Sequence, residues 1–139
     1  MLFRFLPFLV AFVAAIAQAA PPRVVEDMAG DEVALPARVE RVATIGAVPV
    51  LNGLVFAVGE GRRIVNGLPE FARKPRWGYQ AVFAPHTAAL PTLQNHDRTP
   101  NLEALLGAAP DAVLTMDRAS ADALRTAAFT SSPGASPRM

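Results

Sequence analysis

The sequence contains no cysteine, a single lysine (Lys74), one tryptophan (Trp77) and one tyrosine (Tyr79), and its formal net charge is only +1. Without cysteine there is no disulfide framework, no thiolate metal site and no thiol nucleophile, so the fold must be held by packing. A charge so close to neutrality excludes the concentrated basic field that phosphate backbones require, and nucleic acid is not an expected partner. Also missing are a nucleophile elbow, a phosphate-cradling glycine loop and any His-x-x-x-His spacing, so no enzyme, metal site or resident cofactor is expected. Asp97, Asp111, Asp117 and Asp122 lie close in sequence, but Asp111 begins a short apolar strand and Asp117 ends it. Opposite ends of a strand are the wrong place for a hydrolytic pair of carboxylates.

Long apolar runs are scarce too. The only extended one, residues 6–17, is too short for a comfortable membrane span. With Arg4 before it and the small-x-small triplet Ala17-Gln18-Ala19 after it, the run reads as a cleavable secretory signal over residues 1–19. Export without a cysteine next to the cut implies a soluble product rather than a lipid-anchored one, and a bacterial periplasm as its compartment. About 120 residues remain, enough for one compact core.

Within those residues the stretch 41–61 organises the rest. Val42 to Ile45 is a short apolar run ended by Gly46, as expected of a strand covered on both faces. Pro49 suits a first helical turn, and Leu51, Leu54, Val55 and Val58 follow at helical spacing until Gly59 and Gly61. A hairpin is predicted before it, with arms at Val24-Val25 and Val33 to Leu35, covering an edge of the main sheet. After it come a second short strand at residues 62–65 and a proline-broken loop from Glu70 to Pro100. A helix capped by Thr99 follows, with Leu102, Leu105 and Leu106 on its apolar face, then a strand at residues 111–115 and a helix at residues 120–129. Alternating strands and helices at this spacing predict a three-layer α/β lobe with a short parallel sheet, residues 20–129. Parallel strands present their carboxyl ends on one side, so Gly46, Ala47 and Val48 should open on the same edge as Met116 and Asp117. The last residues, 130–139, lack period and apolar content and read as a disordered tail.

The hairpin residues Val25 to Gly30 leading to Leu35-Pro36, the run Arg38 to Thr44, and Asn101-Leu102-Glu103-Ala104-Leu105-Leu106 followed by Pro110 to Leu114 resemble one family. It is the amino-terminal lobe of periplasmic substrate-binding proteins of ABC importers for iron-siderophores, haem and cobalamin. The resemblance spans residues 23–129. It implies a two-lobed protein with ligand held between the lobes, and a permease partner in the membrane. It also implies that Glu103 is the carboxylate that docks on the permease, that the Gly46–Val48 turn lines the cleft, and that Asp97 and Met116 face the ligand. The last two positions are aromatic in the cobalamin binder and are not aromatic here, which weighs against cobalamin. The connecting helix and second lobe have no counterpart in the sequence. The tail stands where another strand is expected, as after a frameshift or early stop.

Several residues carry two readings. Glu103 is equally a first-turn carboxylate favoured by the helix dipole. Arg73, Lys74, Arg76 and Trp77 form a basic aromatic cluster suited to an anionic chelate, or a solvated loop with one anchoring ring. Tyr79 and His86 are the candidate haem-iron ligands, or ordinary loop residues. The whole chain is a transport binding lobe with weak or no independent binding, or a secreted interaction module with no ligand of its own.

Overall fold

Val42–Ile45 (β3) is buried along its whole length, because both of its faces are covered. It pairs in parallel with Ala112–Thr115 (β4), Ile45 lying opposite Thr115. On one face Ala43 and Ile45 pack with Leu93 and Leu105, joined by Val113 and Leu124. On the other Val42 packs with Val55 and Ile64, joined by Phe56 and Leu114. Alternate residues of two strands thus feed two cores, which is the pleat's period of two at work. Each fully buried Val or Ile contributes about 1.5–3 kcal/mol.

The computed structural model describes residues 21–131. The stretch expected to be a secretory signal, residues 1–19, lies outside them, as does most of the expected tail. The antiparallel hairpin Arg23–Glu26 (β1) and Glu32–Leu35 (β2) comes first, then β3, Val48–Ala57 (α1), Tyr79–Phe83 (α2), Leu102–Ala108 (α3), β4 and Arg118–Ser131 (α4). With α1 on one face of the parallel sheet and α3 and α4 on the other, the expected three layers are present.

Several elements differ from expectation in instructive ways. The hairpin is a separate two-stranded sheet rather than an addition to the main one. Its turn is fastened to α4, where Arg125 bridges Asp27 and Asp31 and Arg118 reaches Asp31. The strand expected at residues 62–65 shrinks to a 3-10 turn and one parallel bridge between Ile64 and Val42. Asn66 then takes over, its side-chain Oδ1 accepting the Thr44 N–H at 2.8 Å where the next backbone carbonyl of a longer strand would stand. Leu54 of α1 and Val58 at its carboxyl cap are exposed, and the buried face carries Asn52 instead. In α3 only Leu105 is buried, while Leu102 and Leu106 face outward. The cap of α3 is Asn101 rather than Thr99, with Oδ1 accepting Ala104 N–H at 3.0 Å. Helix α4 runs from Arg118 to Ser131, two residues into the stretch read as tail.

The amino edge of the sheet is clamped. Asp111 accepts the amides of Glu40 and Arg41 at 2.7 and 2.9 Å, and the Arg41 guanidinium donates to the carbonyls of Ala108 and Ala109 at the end of α3. Asp117 sits past the other end of β4, so the two carboxylates are indeed separated by the length of the strand.

Two predictions arise here. Ala109 closes α3 in the left-handed region at φ 44, its amide bonded back to Leu105 and Leu106. Ala109→Gly is expected to raise stability by about 0.5–1 kcal/mol, because glycine adopts that conformation without the Cβ penalty. An unchanged or lowered urea midpoint would refute this. The Asp27 carboxyl is held below its ordinary pKa chiefly by the amide of Asp31, then by that of Ala29 and by the Arg125 and Arg118 charges, against a desolvation penalty. A lowered carboxylate contributes stability that is present above its unfolded pKa and is lost as pH falls through the folded one. Hydrogen-exchange protection of the hairpin should therefore be constant at neutral pH and fall only below the unfolded carboxylate value, about 4. Protection lost already at pH 6 would contradict the assignment to Asp27.

Candidate functional site

At the carboxyl edge of β3 the chain turns at Gly46, whose φ of +87° is open to glycine and costly for other residues. Its amide, left over by the turn, donates to Gln94 Oε1 at 2.8 Å. Gln94 belongs to the chain segment that returns after the proline-broken loop, where Leu93 is buried and Gln94 bridges Pro100 in a tight antiparallel turn. Between this turn and the 3-10 turn Glu70–Arg73 lies a groove of about 520 Å³, lined by Pro69, Glu70, Phe71, Lys74, Thr92, Gln94, Asn95, His96 and Asn101. Apolar ring, ammonium, imidazole and amides therefore share one concavity. The guanidinium of Arg98 stacks over the outer Phe71 ring at 4.7 Å.

A buried polar relay runs from β3 to α1 and α2. The Thr44 hydroxyl donates to Asn52 Oδ1 at 2.7 Å and accepts from Asn66 Nδ2 at 3.1 Å, and Asn52 Nδ2 donates to Gln80 Oε1 at 2.7 Å. Gln80 Nε2 in turn reaches the Pro49 carbonyl at 3.2 Å. All four side chains are essentially solvent-free. A satisfied network of this kind holds the loops after two strands in one arrangement, since each amide lost would strand its partners in a dry site.

The sequence-predicted residues divide among three places. Gly46 and Ala47 are half-buried at the carboxyl edge, with Met116 and Asp117 following β4 on that same edge, as parallel pairing requires. Val48 was expected to line the cleft there. It is instead buried at 1% exposure, because the first turn of α1 points its side chain into the core. Met116 is 70% exposed. Asp97 and Asp117 both spend acceptor capacity locally. Thr99, by hydroxyl and amide, holds the Asp97 carboxyl below its ordinary pKa, and Ser120 does the same for Asp117 at the start of α4.

Arg76, Trp77 and Tyr79 form a second group, against α1. Tyr79 and Trp77 meet edge to face, Phe56 packs on Tyr79 and Phe83, and Arg76 lies 5.4 Å from the Trp77 ring centre. The Tyr79 hydroxyl donates to the Pro49 carbonyl at 2.8 Å, and His86 Nε2 pairs with the Ile64 carbonyl at 2.9 Å, so both candidate iron ligands are engaged by backbone. The basic cluster is thereby split, with Lys74 in the groove, Arg73 bonded to the Leu68 carbonyl, and Arg76 with the aromatics. Glu103, third in its place, is exposed on the first turn of α3.

The sequence reading missed Phe71, Gln94, Asn95 and Asn101 as groove residues and the buried Asn52, Asn66 and Gln80. One signal was available: Gln94-Asn95-His96 directly follows the apolar Leu93, as polar residues do at the carboxyl end of a buried strand. Among the described residues no group of three or more His, Cys, Asp or Glu is placed to hold a metal ion, and no helix is long and apolar enough to cross a membrane.

Among solved structures, the fold is similar to a periplasmic solute-binding protein from Veillonella parvula, at 20% identity and TM-score 0.62, covering 77% of this chain and 33% of that one. It is also similar to the haem-binding protein HmuT, at 21% identity and TM-score 0.55, covering 85% of this chain and 36% of that one. The chain spans about a third of the length of these proteins, consistent with one lobe of a two-lobed architecture. The neighbours are solute-binding proteins rather than enzymes. No family model and no curated protein matches the sequence.

Proposed function

We propose that this chain is the amino-terminal lobe of a periplasmic solute-binding protein serving an ABC importer, and that its solute is a metal chelate of the haem or iron-siderophore kind. The observation that carries the reading is the groove at the carboxyl edge of the parallel strands, where open α/β sheets place ligands, with Phe71, Lys74 and His96 together in it. A ring to stack on, an ammonium to meet a carboxylate and an imidazole able to ligate a metal suit a flat anionic chelate. The absence of aromatic residues at Asp97 and Met116 makes cobalamin the weaker alternative. The exposed carboxylate of Glu103 is the proposed contact with the permease. Cleavage of the signal after Ala19 would deliver the lobe to the periplasm.

A single lobe supplies one wall of a cleft, while association costs the same order of translational and rotational freedom as for two walls. Binding by this chain alone should accordingly be weak, with a dissociation constant on the order of 10 µM or more. Titration of haemin, a ferric siderophore and cobalamin, followed by chelate absorbance and Trp77 fluorescence, tests this. Saturable binding of haemin or the siderophore in that range supports the proposal. Saturation at submicromolar ligand, one per monomer, would show that one lobe suffices. No saturable change with any of the three would favour a secreted interaction module, a reading supported by the exposed Leu54, Val58, Val82 and Phe83.

A further inference from the structure

Two amides in the groove have no freedom in how they are turned. A backbone N–H can only donate, so the Gln94 atom that meets the Gly46 amide at 2.8 Å must be its oxygen, and the Asn101 atom that meets the Ala104 amide at 3.0 Å must likewise be oxygen. With both oxygens turned to backbone amides, the NH2 group is the part of each side chain left without a backbone partner beside the groove it lines. Gln94 is only 8% exposed, so its orientation is fixed by its surroundings rather than averaged in solvent. Lys74, the one lysine of the chain, adds an ammonium to the same lining. We infer that Gln94 Nε2 and Asn101 Nδ2, with Lys74, form a preset donor triad that selects ligands by a free carboxylate, so that the chelate taken by this groove is a carboxylate-bearing one. The inference rests on the reading of the groove as a chelate site and adds the chemical group that is recognised.

Glu70 is the opposing element. Its carboxylate lines the same groove and repels an anionic ligand, so neutral and cationic chelates gain nothing from the triad and lose less to Glu70. Selectivity between an acid and its ester is therefore the sensitive readout. Hydrogen bonds to a charged group are worth roughly twice those to a neutral one, and the difference corresponds to about a tenfold preference.

The test uses the chain labelled with nitrogen-15 and diamagnetic probes: gallium protoporphyrin IX, its dimethyl ester, and gallium citrate. The side-chain amide signals of Gln94 and Asn101 should shift together on titration with the free acids, and the porphyrin acid should bind about tenfold more tightly than its ester. Gln94→Glu keeps the oxygen that Gly46 needs and exchanges the donor for a second oxygen. Asn101→Asp does the same while preserving the helix cap. Either variant should bring the acid-to-ester preference down to about one, and Glu70→Gln should raise it. Should Gln94→Glu fail to fold, Asn101→Asp carries the comparison. Equal binding of acid and ester, or a preference untouched by both variants, overturns the donor triad while leaving the groove as the ligand site. If none of the three probes perturbs any groove resonance, the chelate site itself falls, and the triad with it.

Discussion

Gly67→Ala should be the most damaging glycine-to-alanine change among the described residues, lowering stability by about 3 kcal/mol or more. A Cβ at Gly67 would stand 1.9 Å from the Leu90 carbonyl oxygen and 2.8 Å from its carbon. Both neighbours are backbone, so no rotamer change relieves the contact. The alternative, moving the segments apart, breaks the 2.7 Å hydrogen bond from Gly67 N–H to the Pro91 carbonyl. That bond ties the loop after Ile64 to the returning segment that carries Gln94 and His96, so the groove would open as the fold weakens. Urea unfolding and the chelate titration should both register the change. A midpoint within experimental error of the parent would show that the two segments are not in the contact described. By contrast, alanine at Gly46 meets nothing nearer than 4.0 Å and should cost only the about 1–2 kcal/mol of its left-handed backbone.

Asn66→Ala is expected to cost about 3 kcal/mol, for a different reason. It removes the acceptor of the Thr44 N–H and the donor to the Thr44 hydroxyl, at a residue with no exposed surface. An orphaned buried amide costs about 1–3 kcal/mol, and the lost bonds and space add to it. Thr44→Val should be milder, since it deletes the hydroxyl but keeps the shape and leaves the backbone bond intact. Because the two residues share one relay, the double variant should lose less than the sum of the single losses. Strict additivity in equilibrium unfolding would mean that Thr44 and Asn66 act independently and that the relay is not a unit.

The elements most legible in the sequence were those whose burial is written as an apolar pattern. Val42 to Ile45 and Ala112 to Thr115 each announce a covered strand, and their parallel pairing puts the turns at Gly46 and Met116 on one edge. What escaped was set by partners distant in the chain. Nothing local in Asn52 or Gln80 distinguishes a solvated amide from a buried one; only the meeting of α1 with α2 decides it. Leu54 and Val58 mislead for the complementary reason, since helical spacing identifies two possible faces and the position of Asn52 on the buried one cannot be weighed without Thr44. The strand expected at residues 62–65 failed because a side-chain amide can finish a ladder that the backbone leaves incomplete. Trp77 and Tyr79 drew attention as the rarest residues of the chain, yet scarcity says nothing about location. Trp77 meets Tyr79, and Tyr79 meets Phe56, which lies on the opposite side of the sheet from the Leu93 core.

The clamp of Arg41 and Asp111 at the amino edge has an evolutionary corollary. It fastens sheet to helix using a guanidinium, a carboxylate and main-chain atoms, all at the opposite end of the strands from the groove. Groove residues other than Gln94 and Asn101, which hold the Gly46 and Ala104 amides, can then change without touching the clamp. On the proposed chelate reading, a lineage carrying this lobe could trade one chelate for another through changes at groove residues such as Phe71, Lys74 and His96, with Arg41 and Asp111 kept.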